Sequence, residues 1–493
     1  MLPSAALFVL ALAGDPALAG GFECPDEGGA PWRELRTAHF VIQTDVSSSK
    51  AHELAEDLER IHETVRYGLF RKPPETGVIR VLAPAEREEF ELFAPKGVAA
   101  FYTQAALTGP VIVLPGSLRD SQRVVAAHEI THHIAARVFA RPPLWFAEGL
   151  ATYMESVAQV GPHHTPSVGG LAAWRFAEVY PFLGGAAELL AARKQLKDSH
   201  AYAVAWALVQ FLVNRHGTEF GQLQQRFARG QDPAVAWREV FPQWNPADKA
   251  SMDALDGEIG SFLKTGESRS RDVELPPAPP VEERALSAAE AHGARLAVPW
   301  INQGRKVDPS LLRAEAEEAL RHDPASVPAL AVLSGLDKES APALARRAVE
   351  GHPDDARAWL LFARSIPDAY RERRVEPLVR AARADPTNAV GLNDLAWELL
   401  GTGRATEALP IAAKAAGLAP GQSAILDTLA GALEAVGRCA EALQVERRAL
   451  DVLSETTDDA GRAPYLGRIG RLEKGCGPRV EASTAPAAPP MTR

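Results

Sequence analysis

The sequence predicts an α+β domain, a small mixed sheet plus helices, followed by an all-α helical-repeat solenoid. Three observations carry this expectation. Strand-like and helical runs alternate through residues 31–114, helical runs dominate from there to 263, and beyond a Pro-rich linker residues recur at a spacing of 34. At 493 residues the chain is too long for one core, so two or three domains are expected.

Composition sets outer bounds. The chain is 46% apolar and 24% charged, as ordinary globular proteins are. Its net charge of -10 argues against nucleic acid or an anionic membrane as partner, because phosphate contacts need clustered Lys and Arg. Leu2 to Ala13 is mostly apolar and Ala17-Leu18-Ala19 precedes Gly20, so residues 1–19 read as a secretory signal peptide cleaved after Ala19. The n-region lacks Lys and Arg, and the rival reading is an uncleaved apolar end. Asp15 interrupts the run, which is too short to span a bilayer, and no later stretch is long and apolar enough to do so. The expected location is periplasmic, cell-envelope or secreted. In such an oxidising compartment Cys439 and Cys476 can pair, which leaves Cys24 as an exposed or mispaired thiol.

Along the chain, residues 32–45 alternate and become β-branched, which predicts a strand or hairpin. Ala51, Leu54, Leu58, Ile61 and Val65 recur at helical spacing, so Ser48 to Leu69 is an amphipathic helix. Val78 to Ala83 reads as a strand, and Pro84 to Phe93 as a short helix with Pro84 in its first position, where no backbone N–H is needed. Val98 to Tyr102 and Val111 to Leu114 are further strands, either of which could pair with an extended peptide or simply with a neighbour. Ser117 to Ala140 is helical, with no Gly or Pro throughout, and after Arg141-Pro142-Pro143 a second helix starts near Leu144. His200 to Leu212 is apolar nearly all round and therefore buried. The α+β domain is expected over 31–263 and the linker, with Pro276-Pro277-Ala278-Pro279-Pro280 near its end, over 264–283.

The second half repeats. Asp385-Pro386 and Ala419-Pro420 lie 34 apart, as do Gly403 and Gly437, Ala396 and Ala430, and Ala408 and Ala442. Small Ala at helix crossings, Gly in turns and Pro between units are what stacked helical pairs require. Earlier units are less regular, with 29 residues from Pro324 to Pro353 and 33 from Pro353 to Pro386. Residues 309–453 resemble tetratricopeptide (TPR) repeats. The repeat domain is expected over 284–476, with an Ala-, Pro-, Ser- and Thr-rich disordered tail at 477–493.

Chemistry concentrates in His128-Glu129-Ile130-Thr131-His132, an HExxH inside the Ser117–Ala140 helix. Four residues make about one turn, so both imidazoles share a face, roughly 6 Å apart along the axis. Two such imidazoles can share one zinc, and Glu129, one position round, can act on an attacking water. A third His two turns on is excluded, because Ala135 and Val138 hold the Gly and His positions of the longer metzincin pattern.

Further along the chain stands Trp145-Phe146-Ala147-Glu148-Gly149-Leu150-Ala151-Thr152-Tyr153, at a distance that allows a second helix to return. With HExxH, this segment resembles the gluzincin peptidases, and among them the peptidase MA-like domains of bacterial exported proteins, over residues 31–263. The resemblance implies a zincin-like fold, Zn2+ held by His128, His132 and Glu148, and Glu129 as general base. It also implies an oxyanion donor on a later helix, for which Tyr202 is the choice, with His200 and Tyr153 as rivals. Thr152 and Glu155 can orient a ligand or bond elsewhere, His133 reads as an exposed neighbour, and His163-His164 as a loop pair. Cys24 beside Pro25-Asp26 also bears a faint resemblance to the cysteine that keeps some zinc proteases latent. Two departures stand. The Gly-Ala-Met-Glu-Asn segment of zinc aminopeptidases is absent upstream of His128, and Ala147 replaces the Asn common before the ligand Glu. Endo- and exopeptidase specificity both stay open.

The sequence therefore leads to the expectation of an exported zinc peptidase acting on a peptide or protein substrate, with TPR repeats that bind a protein partner. The alternative is a cell-envelope TPR scaffold that carries a peptidase-like domain with little turnover.

Overall fold

The computed structural model describes residues 22–475 apart from 71, 99, 106, 119, 160–164, 172, 183, 193–198, 267 and 454–456. The expected signal peptide, the tail, His163, His164 and Cys476 fall outside the described residues. Most of the described chain is helical, around a small mixed sheet.

Strands β1 (Arg33–Arg36) and β2 (Phe40–Thr44) form the expected hairpin, and β3 (Ile79–Ala83), β4 (Phe101–Ala105) and β5 (Gly109–Val113) come after them. A two-residue pair, β6 (Ser167–Val168) with β7 (Arg271–Asp272), stands apart, and β8 (Glu282–Ala285) returns to the main sheet. The order is β4-β5-β3-β2-β1-β8. Among the described strands only the β2–β3 and β3–β5 pairings are parallel. Alternation divides the side chains between two faces. Ile42, Val81 and Ile112 enter one core, and Leu82, Val111 and Val113 enter another.

Helices α1 (Ser48–Leu69), α2 (Arg87–Phe93), α3 (Asp120–Val138) and α4 (Leu144–Met154) keep the expected order. The first core is closed by α1 through Leu54, Leu58 and Val65 and by α3 through Ile130 and Ile134. Then come α5 (Ala173–Val179), α6 (Ala186–Ala191), α7 (Ser199–Arg215), α8 (Gly217–Ala228), α9 (Pro233–Val240) and α10 (Lys249–Thr265). Helix α7 is buried from Ala203 to Leu212, as its apolar circumference requires.

The second half comprises α11 (Ala288–Ala297), α12 (Pro309–His322), α13 (Val327–Leu336), α14 (Ala341–Gly351), α15 (Ala356–Ser365), α16 (Val375–Ala384), α17 (Ala389–Gly401), α18 (Ala405–Leu418), α19 (Ser423–Ala435), α20 (Cys439–Asp451) and α21 (Asp459–Leu472). The pairs α17/α18 and α19/α20 reproduce the 34-residue offset at both helices. Gly403 and Gly437 make the turns with φ of 77° and 83°, a region L-residues avoid. Ala396, Ala408, Ala430 and Ala442 are fully buried at the crossings. No helix among the described residues is long and apolar enough to cross a membrane.

Three expectations need correction. Pro84 does not open α2, which starts at Arg87. The Pro84 carbonyl instead accepts the Gly116 N–H, at 2.8 Å, and the Asp45 carboxylate accepts the Ala85 N–H, at 2.6 Å, so the chain leaves β3 in a fixed turn. The strand expected at 98–102 begins at Phe101, after a turn in which Gly97 has φ of 81°. The segment 264–283 is not simply a linker: it carries β7, and β8 starts at its end and pairs antiparallel with β1. Helix α11 then packs Ala291 and Ala294 onto the second sheet face, beside Phe90 and Phe93 of α2. The first helix of the solenoid is thus a layer of the α+β domain.

Candidate metal centre

Two helices build the site. Helix α3 is anchored through Ile130 and Ile134, which turns His128, Glu129 and His132 away from the core. Arg141-Pro142-Pro143 then reverses the chain, and α4 starts behind Pro143 at its N-cap. Gly149 sets how deep α4 sits, because a Cβ there would lie 2.7 Å from the Ala205 carbonyl oxygen and 2.8 Å from Val209 Cγ2 on α7. Glu148, one residue earlier, is thereby brought over α3.

The three expected ligands meet. The Nε2 atoms of His128 and His132 are 3.1 Å apart, and each lies 3.4 Å from Glu148 Oε2. Ligands held about 2.0–2.1 Å from a tetrahedral zinc are about 3.3 Å from one another, so this triangle has the size such an ion needs. The donor set, two imidazoles and a carboxylate, fits zinc and leaves a fourth position open. Burial would raise the pKa of Glu148, but His132 and His128 hold it well below the usual carboxylate range. Burial alone would lower His128; hydrogen bonds to Glu148 and Glu155 and the charge of Glu129 raise it to about 9. A metal ion bound through this imidazole would have to displace that proton.

An orienting chain lies behind His128. Its Nδ1 is 3.1 Å from Glu155 Oε1, and Glu155 is buried and gripped at 3.1 and 3.0 Å by Nε and Nη2 of Arg175 on α5. A carboxylate on the far ring nitrogen fixes the tautomer and aims Nε2 at the metal position. The sequence offers Glu155 only as one possibility and shows no sign of Arg175.

Other residues sort themselves. Tyr202 places its ring 6.4 Å, centre to centre, from that of His128, tilted by 47°. The rivals lie elsewhere: His200 Nδ1 is 3.3 Å from the Glu178 carbonyl, and the Tyr153 hydroxyl packs against Gly169, with burial raising its pKa to about 12. Thr152 donates to the Glu148 carbonyl of its own helix at 2.7 Å. His133 is not exposed. It is buried 3.2 Å from the Thr76 carbonyl and 2.9 Å from Arg137 Nη1, and burial lowers its pKa to about 3. Cys24 is likewise buried, with Sγ 3.4 Å from His322 Nε2 on the solenoid rather than at the His128–His132 pair. Cys439 is disulfide-bonded.

The open side of the centre faces the solenoid. Glu129, His132 and Glu148 line a cavity of about 310 Å³ whose opposite wall is Leu418 to Gln422, between α18 and α19. Two arginines fasten this wall by exchanging helix ends. Arg137 of α3 donates to the Leu418 carbonyl at the end of α18, and Arg448 of α20 donates to the Ala136 carbonyl at the end of α3, both at 2.8 Å. Each satisfies a carbonyl that has no partner within its own helix and sets a cation at the negative end of a helix dipole.

No protein-family model and no curated protein matches the chain. Solved structures match part of the chain. A thermophilic TPR protein of Thermus thermophilus, TTC0263, is 20% identical, with a TM-score of 0.26 over 33% of this chain and 90% of its own. MamA of Desulfovibrio magneticus is 12% identical, with a TM-score of 0.23 over 34% and 93%. A further MamA crystal structure is 18% identical, with a TM-score of 0.26 over 29% and 88%. The repeat organisation of this chain rests on its own paired helices and their 34-residue offset.

Proposed function

We propose that the protein is an exported zinc-dependent peptidase whose repeats bind a protein partner or position the substrate. The observation that carries the reading is the His128–His132–Glu148 triangle with Glu129 beside its open side. Zinc bound there supplies Lewis-acid polarisation of a peptide carbonyl. Glu129 takes the proton of the attacking water and delivers it to the leaving amine. Glu155 and Arg175 keep His128 aimed, and Tyr202 is the donor toward the oxygen on which charge develops. β4, at the end of the sheet order, is the strand positioned to pair with extended peptide. Metal analysis of the purified chain, with hydrolysis of a peptide library in the presence and absence of a chelator, tests this reading. Zinc-free protein that cleaves nothing would end it.

A repeat scaffold for protein interaction is the second reading. It is supported by the stacked helical pairs of the second half, and by the wall at Leu418 to Gln422 that narrows access to the metal centre. A Glu129→Gln chain that replaces the wild type fully in its host would favour it over turnover.

A further inference from the structure

A second cluster with metal-binding geometry lies where the N-terminal segment meets the solenoid. Cys24, His292 of α11, and Glu318 and His322 of α12 each bring one ligand atom within 4.8 Å of all the others. Sγ of Cys24 is 3.4 Å from His322 Nε2, which is 3.3 Å from Glu318 Oε1. For zinc bonded at about 2.3 Å to sulfur and 2.0–2.1 Å to nitrogen or oxygen, tetrahedral edges are about 3.5 Å (S to N) and 3.3 Å (N to O).

The imidazole of His292 points to a ligand independently. It has no solvent exposure, its Nδ1 is 2.7 Å from Glu315 Oε1, and its Nε2 has no hydrogen-bond partner. An unpaired buried ring nitrogen is costly, and a metal ion would satisfy it. His322 repeats the pattern, with Nδ1 3.1 Å from Asp26 Oδ2 while Nε2 faces Cys24. Both histidines thus carry a carboxylate on the ring nitrogen away from the cluster, the arrangement that orients zinc-binding imidazoles. The thiol is held in place as well: the Cys24 carbonyl accepts the Glu27 and Gly29 amides at 2.9 and 3.0 Å, and a Cβ on Gly29 would collide with the Glu23 carbonyl.

We propose that Cys24, His292, Glu318 and His322 form a second, structural divalent-metal site, suited to zinc, that clamps the N-terminal segment onto the first helical pair. Four protein ligands close the coordination sphere, and a thiolate with a carboxylate balances the charge of the ion. Asp26 and His322 border a cavity of about 810 Å³, which gives the ion a way in. The site is separate from the His128 centre and does not depend on peptidase activity.

Cobalt loading of the full chain tests the site, because only a thiolate ligand gives near-ultraviolet sulfur-to-cobalt charge transfer and the His128 centre contains no sulfur. The wild type and a His128→Ala/His132→Ala chain should both show this absorption. Cys24→Ser should lose it along with one equivalent of metal, while keeping its far-ultraviolet circular dichroism. Cobalt-loaded wild type without the sulfur band, or Cys24→Ser that binds as much zinc as wild type, overturns the proposal. Should Cys24→Ser fail to fold, the wild-type spectrum alone decides.

Discussion

Glu155 and Arg175 show what one residue adds to a ligand it does not replace. With Nδ1 of His128 held by a buried carboxylate, Nε2 is left facing His132 and Glu148, where the proposed zinc would bind. Glu155→Gln, or Arg175→Met, should weaken zinc binding by roughly 10–100-fold without unfolding the chain, measured by competition with a chromogenic chelator. The candidate ligands are legible in the sequence because HExxH and the later Glu-Gly segment have fixed spacings. Arg175 is not, since an orienting residue can come from any element that packs nearby, and here it comes from α5. His133 reads as exposed in the sequence, which does not reveal that a second face of α3 packs against Thr76. His62 supplies a residue-scale test of pH dependence. Burial lowers its pKa to about 4, with Glu63 only partly offsetting, and its Nε2 pairs with Thr76 Oγ1. Above the ordinary value of 6.5 the ring is neutral in folded and unfolded chains alike. As pH falls through 6.5 the unfolded chain takes up a proton that the fold refuses, so stability drops until about pH 4. The loss amounts to about 3 kcal/mol at most, and His62→Gln should flatten it in urea titrations at pH 7 and pH 5.

At the scale of elements, the fit of α4 against α7 determines whether Glu148 reaches the His128–His132 pair. Gly149→Ala puts a methyl group 2.7 Å from a backbone oxygen, so α4 must shift. The expected cost is about 1–3 kcal/mol in denaturant unfolding, with lower zinc content because Glu148 moves with the helix. The pattern of apolar residues places α1, α3, α4 and α7 to within a few positions, because each buries a continuous face. It shows no sign of β8, whose Glu282, Glu283, Arg284 and Ala285 are all exposed. That strand joins the sheet through backbone hydrogen bonds and through Arg284 with Glu34 at 3.1 Å, and no apolar alternation accompanies such pairing. The Cys24 cluster is equally invisible, its thiol and His322 being 298 residues apart in the chain.

For the whole molecule, the two halves are one packed unit rather than beads on a linker. Helix α11 covers a sheet face, Leu107 in the β4–β5 hairpin packs against solenoid residues, and its carbonyl accepts from Asn388 at 2.8 Å. Arg448 and Arg137 complete the contact beside the His128–His132–Glu148 cluster. Arg448→Met should cost roughly 1.5–3 kcal/mol, the worth of a hydrogen bond from a charged donor, and should make the Leu418–Gln422 wall more accessible to limited proteolysis. Repeat periodicity makes the solenoid legible in isolation, but its placement depends on shape complementarity between surfaces far apart in the chain. We propose that His128, His132 and Glu148 hold zinc for chemistry in which Glu129 moves the proton. The most direct test is zinc content measured together with peptide cleavage for the wild type and Glu129→Gln. Both chains should hold equal zinc, and the variant should cleave roughly 10²–10⁴-fold more slowly. Equal cleavage by both chains, or a wild type that holds no zinc at the His128 centre, would contradict it.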